Sequence, residues 1–174
     1  MIYQLISRLK YLLKNSSSLT EIQEVKEVDD LETYDTFVSK TPCILIARTD
    51  GEIMNYRSDT KEVQHVFTIL DVRTVIRYEG SPEAARKVLD ILTWKIVNVL
   101  RANRVLEVAG YLPLKYLIDS EVNTISYGSK KRDKVYDEYS TIKFFTWRPE
   151  EAPAPDSTYY DVINTILRIN ITGG

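Results

Sequence analysis

His65 and Cys43 are the single histidine and single cysteine of this chain, and most nucleophile or metal chemistries begin with one or the other. His65 falls inside a long alternating run, with no second histidine to share a metal. It reads as a satisfied, partly buried histidine rather than a base. Cys43 lies between Pro42 and Ile44-Leu45-Ile46. Its flanks are apolar and no histidine is near, so it reads as a small buried hydrophobe rather than a thiolate nucleophile. With no other cysteine in the chain to pair with, it fits a reducing compartment. The carboxylates Glu150-Glu151 sit in a proline-rich stretch, where nothing would raise a pKa or exclude water. The chain shows no glycine-rich phosphate loop and no nucleophile elbow, and its 6 glycines leave little material for a backbone cradle. These residues point away from an enzyme and call for no metal or cofactor; the expectation is a protein that works by binding.

The residues that stand out are therefore those that could touch a partner. Trp94 falls on a helical wheel among Lys87, Asp90, Asn98 and Arg101, on a polar arc, and Val97 also lies outside the main apolar arc. An exposed tryptophan anchors interfaces, so Trp94 with Val97 is a candidate subunit patch; a loop of the same chain covering Trp94 is the other reading. Tyrosine is unusually abundant, at 12 residues. Its half-apolar, half-polar character suits interfaces, which brings in Tyr127, Tyr136, Tyr139, Tyr159 and Tyr160. The basic run Lys130, Lys131, Arg132 and Lys134 is a candidate phosphate or partner contact. A solvated hairpin tip that discourages edge pairing is the plainer reading, because no aromatic is interleaved with the charges. The acidic stretch Glu21, Glu24, Glu27, Asp29, Asp30 and Glu32 is either a solvated surface or the lining of a passage that repels DNA.

The elements that must position these residues follow from periodicity. A chain of 174 residues is long enough for one well-buried core. Its 44% hydrophobic and 28% charged content is ordinary for a globular domain, and its net charge of −2 gives no general pull toward nucleic acid. No apolar stretch reaches membrane-spanning length, and Arg8, Lys10 and Lys14 interrupt the first apolar residues, unlike a signal peptide.

Ile2, Leu5, Ile6, Leu9, Leu12 and Leu13 recur at helical spacing and predict a helix over 2–14. An edge strand over 21–28 and a short strand over 43–47, buried on both faces, come next. Thr49-Asp50-Gly51 marks a turn. The longest strand runs from Glu62 to Tyr78. Val66, Thr68, Leu70, Val72, Thr74, Ile76 and Tyr78 share one face; the other face is apolar early, with Phe67 and Ile69, and charged late, with Asp71, Arg73 and Arg77. The strand's first half is therefore expected to be covered on both sides and its second half to show one side to water. Ser81, Pro82 and Glu83 form a good helix start. The helix to about Asn103 is expected to bury Ala85, Val88, Leu89, Leu92, Ile96, Val99 and Leu100. Residues 105–120 read as a short strand and a packed loop. A hairpin follows, 121–127 and 133–148 across a turn at 128–132, with Val135, Tyr139, Thr141, Phe145 and Trp147 on one face of the return strand. Pro149, Pro153 and Pro155 make a stiff exit. The segment from Tyr159 fits a helix or a strand equally well, and it is expected to dock on a neighbour, by strand addition if it is extended. The whole reads as α+β: a mainly antiparallel sheet of about four to five strands packed by an N-terminal and a central helix. Residues 1–148 form one domain and 149–174 a linker with a C-terminal interaction segment.

This order of elements resembles the tail terminator (tail completion) proteins of long-tailed bacteriophages over about residues 1–148. The resemblance rests on the N-terminal helix Ile2–Lys14, Ile22–Val28, the Pro-led strand Thr41-Pro42-Cys43-Ile44-Leu45-Ile46 and the polar entry Arg57-Ser58-Asp59-Thr60-Lys61-Glu62 to the long strand. It continues with Arg77-Tyr78-Glu79-Gly80-Ser81-Pro82-Glu83-Ala84-Ala85 leading into a helix that ends Val99-Leu100-Arg101-Ala102-Asn103, and with a closing hairpin to Ile142-Lys143-Phe144-Phe145. The tail after Pro149 lies outside the pattern. The resemblance implies a virion protein, made in the host cytoplasm and placed at the neck of the tail. Six copies would form a ring on the head-proximal end of the tail tube, stop tube growth, offer a surface to the head connector and leave a channel for DNA. It implies no membrane partner and carries over no catalytic residue. Another neck or head-completion ring, or a small non-viral binding domain, is the alternative reading.

Overall fold

The computed structural model describes residues 2–32, 40–48, 53–56, 63–79, 81–109, 115–132 and 135–151. Two compact units are present, residues 1–53 with 67–148, and residues 54–66 with 149–174. In chain order the elements are α1 (Ile2–Lys14), β1 (Glu24–Val28), β2 (Cys43–Arg48), β3 (Ile53–Tyr56), β4 (Val63–Tyr78), α2 (Pro82–Ala102), β5 (Val105–Ala109), β6 (Lys115–Arg132) and β7 (Val135–Glu151). The fold is α+β with a mostly antiparallel sheet and an N-terminal helix. The sheet runs β1-β2-β4-β7-β6-β5, with β3 paired to β4 off this path, seven strands among the described residues.

β1 lies parallel to β2, and β2–β4, β5–β6 and β6–β7 are antiparallel. Side-chain contacts give the sense of β4 on β7. Thr146 bonds the Thr68 carbonyl, Lys143 faces Asp71, Arg73 bonds Thr141 and Arg77 bonds Asp137. One number falls as the other rises, as in an antiparallel pair.

α1 touches both β1 and β5, the two ends of the strand order, so it lies across one face of the sheet. Leu5, Ile6, Leu9 and Leu13 of α1 are buried on that face with Ile44, Leu70, Ile96, Leu100, Ile142 and Phe144. Each fully buried side chain of this kind contributes ~1.5–3 kcal/mol, so the α1 stripe is a main source of stability.

α2 starts as its sequence predicts, with Ser81 at the N-cap in extended backbone and Pro82 in the first turn. The Ser81 side chain, however, makes no capping hydrogen bond. Along the buried face, Thr93 Oγ1 donates to the Leu89 carbonyl at 2.7 Å. A hydroxyl has one proton, so Ser140 is the donor in the 2.6 Å bond between Ser140 and Thr93. This polar stitch joins α2 to β7.

The other face of the sheet corrects an expectation. The late half of β4 does not show that side to water. Arg73 is buried, its Nε bonded to Thr141 Oγ1 at 2.9 Å and an Nη to the Leu31 carbonyl at 3.0 Å. Leu31 joins Val28, Cys43, Leu45, Ala47 and Val75 in a second apolar cluster on this face. A loop residue thus covers a surface that strand periodicity alone assigns to solvent.

The hairpin also differs from its sequence reading. Pairing of β6 with β7 continues to Arg132↔Val135, so residues 128–132 are strand, not turn. Gly128 stands opposite Tyr139, and a Cβ built on Gly128 would run into the Tyr139 ring. The ring cannot easily retreat, because the Arg73 guanidinium lies 4.4 Å from its centroid. Gly128→Ala is therefore expected to cost about 1–3 kcal/mol, read as a lower urea midpoint with an unchanged slope. Combining it with Tyr139→Ala should cost clearly less than the sum of the two.

Candidate interaction surface

α2 packs against β6 through one arc and leaves the opposite arc exposed. Apolar residues on that opposite arc have no core to fill. Val88 is 46% exposed, Ile91 58% and Trp94 47%. Their spacing of three places them along one ridge of the helix. A contiguous apolar ridge on a face otherwise built from Lys87, Asp90, Asn98 and Arg101 is the kind of surface that a partner covers.

The ridge abuts a strand edge. Tyr127 of β6 is exposed, and its hydroxyl donates to Asp90 Oδ1 at 3.0 Å. Partial burial first, and this bond second, push the Tyr127 phenol pKa upward. Asp90 and Trp94 are one helical turn apart, so Tyr127 ties the β6 strand to the foot of the ridge. β5 covers β6 only from Lys115 to Asp119. Among the described residues, the remainder of β6 to Arg132 is hydrogen-bonded by β7 on one side and by no strand on the other. A long open edge of this kind offers unpaired backbone N–H and C=O groups.

The residues singled out from the sequence are thereby sorted. Trp94 and Tyr127 belong to one surface. Val97 does not, because it is fully buried in the main core, and the patch with Trp94 is formed by Ile91 and Val88 instead. Val88 is correspondingly not among the buried residues of α2. Tyr136 and Tyr139 serve the chain internally. Tyr136 stacks on Tyr78 at 5.6 Å, with Lys131 Nζ 5.7 Å from its ring, and Tyr139 lies between Gly128 and Arg73. The basic run does carry an interleaved aromatic in space, though not in sequence. Lys130 stands opposite Asp137, and Lys131 opposite Tyr136. Arg132 is in the strand, with its side chain outside the described residues, as are Lys134, Tyr159 and Tyr160 altogether. His65 lies on β4, and nothing is described of its side chain. In the acidic stretch Glu21 pairs with Lys95, which holds its carboxyl below the usual range, and Glu24 pairs with Lys26 at 2.9 Å.

Sequence reasoning missed Ile91, although the signal was present: on the wheel it lies beyond Asn98, outside the apolar arc on the side of Val88, though nearer to that arc than Trp94. It also missed the exposed Tyr3 and Tyr11 of α1. These two flank Arg8 along a groove of ≈ 320 Å³ between α1 and β5, and Arg8 lies 5.6 Å from the Tyr11 ring. Polar side chains interrupt this second surface, whereas the α2 ridge is continuous. Among the described residues no three His, Cys, Asp or Glu side chains gather in a metal-binding group, and no helix is long and apolar enough to cross a membrane. No protein-family model matches the chain, and no curated protein matches it.

Proposed function

We propose that this chain is a structural virion protein that closes into a ring on the head-proximal end of a phage tail tube, ends tube growth and offers the head connector its docking surface. The observation that carries the binding part of this reading is the apolar ridge Val88–Ile91–Trp94 beside the open edge of β6. The phage assignment rests on the order of elements, from the N-terminal helix through the Pro-led strand and the central helix to the long hairpin.

The action is steric and energetic. One face of the ring occupies the surface that the next tube ring would need, and the opposite face does not reproduce it. Subunits bound as one ring bind together, so modest contacts per copy sum to firm capping. DNA passes through the channel without specific contacts. The protein works at the tail neck of the virion, by shape rather than catalysis and with no cofactor.

Native mass spectrometry of the purified protein should show a closed oligomer, with six copies the expected number. Electron microscopy of that oligomer mixed with tail tubes should show capped tube ends. A monomer at high concentration overturns the ring, and a ring that leaves tube ends bare overturns the terminator reading in favour of another neck component.

A further inference from the structure

A ring needs a head-to-tail contact between two different surfaces of each subunit. We propose that this contact is a β-sheet continued between copies, in which the outer edge of β1 in one copy adds to the open edge of β6 in the next. This inference rests on the ring reading and names its interface.

Three observations converge on this pairing. First, among the described residues β1 ends the strand order on one side, and on the other side β6 is itself the outer strand beyond Asp119. Second, the usable lengths agree. β6 is disturbed by a register shift between Val122 and Thr124 and carries Lys130, Lys131 and Arg132 at its far end. Bulges and lysines are the devices that blunt an edge. Between them lies Ile125-Ser126-Tyr127-Gly128-Ser129, which has no charge and no proline. β1, Glu24–Val28, is 5 residues long and fits that stretch. Third, the flanking charges are opposite. The segment around β1 carries Glu21, Glu24, Glu27, Asp29, Asp30 and Glu32 against Lys26. The end of β6 is basic. Like charges disfavour β1 on β1 and β6 on β6, while β1 on β6 brings opposite charges together. The charge pattern therefore disfavours the two self-pairings and favours the head-to-tail one. Tyr127 and the α2 ridge border the accepting edge, so an arriving strand also covers apolar surface.

Cross-linking of the full-length chain tests this. Glu27 and Ser129 are exposed. Cys43 is buried, with its thiol pushed up to about 12 by burial, so it leaves maleimides unreacted. The double variant Glu27→Cys/Ser129→Cys, treated with a short bis-maleimide, should give a covalent ladder extending beyond dimers, and neither single variant should. Co-assembled single variants should give cross-linked dimers only when both are present. In parallel, Lys130→Glu/Lys131→Glu and Glu27→Lys should each raise the concentration needed for assembly by about tenfold or more, and the combined variant should recover part of that loss.

Dimers from Ser129→Cys alone would mean that β6 pairs with itself, which overturns the proposal. A ring by native mass with no cross-link in the double variant also overturns it, and leaves the ring reading standing. A monomer by native mass overturns both.

Discussion

Arg77→Met is expected to destabilise the fold by about 3–5 kcal/mol, a large loss for a single charged side chain. Arg77 holds Asp137 with both arms, Nε to Oδ1 at 2.8 Å and Nη2 to Oδ2 at 3.1 Å. The two ends of this pair differ in their access to water. The Asp137 side chain is fully buried, whereas that of Arg77 is 30% exposed. Removing the arginine takes two charge-assisted bonds from a carboxylate that has no route to solvent. Removing the acid, as in Asp137→Ala, leaves a guanidinium that can turn outward, and should cost only ~1–3 kcal/mol. Urea unfolding of both variants reads the asymmetry. Equal losses, or a loss under ~0.5 kcal/mol for Arg77→Met, would mean that water or another group compensates Asp137. The double variant should lose less than the sum of its singles, because the two side chains act on each other.

That network also shows where sequence reading stops. Helix boundaries are legible because their signals are local. Six apolar residues at helical spacing mark α1, and Ser81-Pro82-Glu83 marks the start of α2. The alternation of β4 marks its strand, and its apolar even-numbered face, Leu70 and Val72 included, is buried against the helices. What alternation does not encode is what lies over the other face. Arg73 reads as solvated until Leu31 and Thr141 are brought onto it from 42 and 68 residues away in sequence. β7 shows the same limit. Its sequence draws attention to the odd-numbered face, with Tyr139 and Thr141. The deepest hydrophobic burial is at Ile142 and Phe144 on the even-numbered face, because that face meets α1 and α2 in the main core. The expected turn at 128–132 fails for a related reason. Gly128-Ser129-Lys130-Lys131-Arg132 has turn-like composition, but Gly128 is there to make room for the Tyr139 ring.

The same reasoning divides the candidate site. Trp94 is legible because a large apolar residue on a charged arc breaks the pattern of its helix. Val97 misleads because it stands beside the apolar arc, where wheel angle alone does not decide burial; the main core extends to it. The open edge of β6 is not legible at all. An edge is a property of strand order, and β5 stops short of covering β6 for reasons that no local pattern in 105–132 carries.

The α2 ridge allows binding and folding to be separated by mutation. Ile91→Asp removes an exposed side chain and makes no new buried charge, so monomer stability should stay within ~0.5 kcal/mol of the parent. Trp94→Ala should be similarly mild toward folding. Val97→Ala, a conservative change only three residues away, should instead cost the fold ~1–3 kcal/mol, because Val97 is fully buried. Assembly should rank the three in the opposite order. A central aromatic anchor is worth ~2 kcal/mol or more to an interface, roughly thirtyfold in affinity. In a closed ring every subunit repeats the loss, so Trp94→Ala and Ile91→Asp should shift the native-mass distribution from ring to monomer at concentrations where the parent is fully closed. Val97→Ala should leave the ring intact below its own lowered melting temperature. The comparison is decisive because the three residues share two helical turns, so a general effect on α2 would move them together. Rings that persist unchanged in both ridge variants would show that this apolar face is covered by something other than a neighbouring copy.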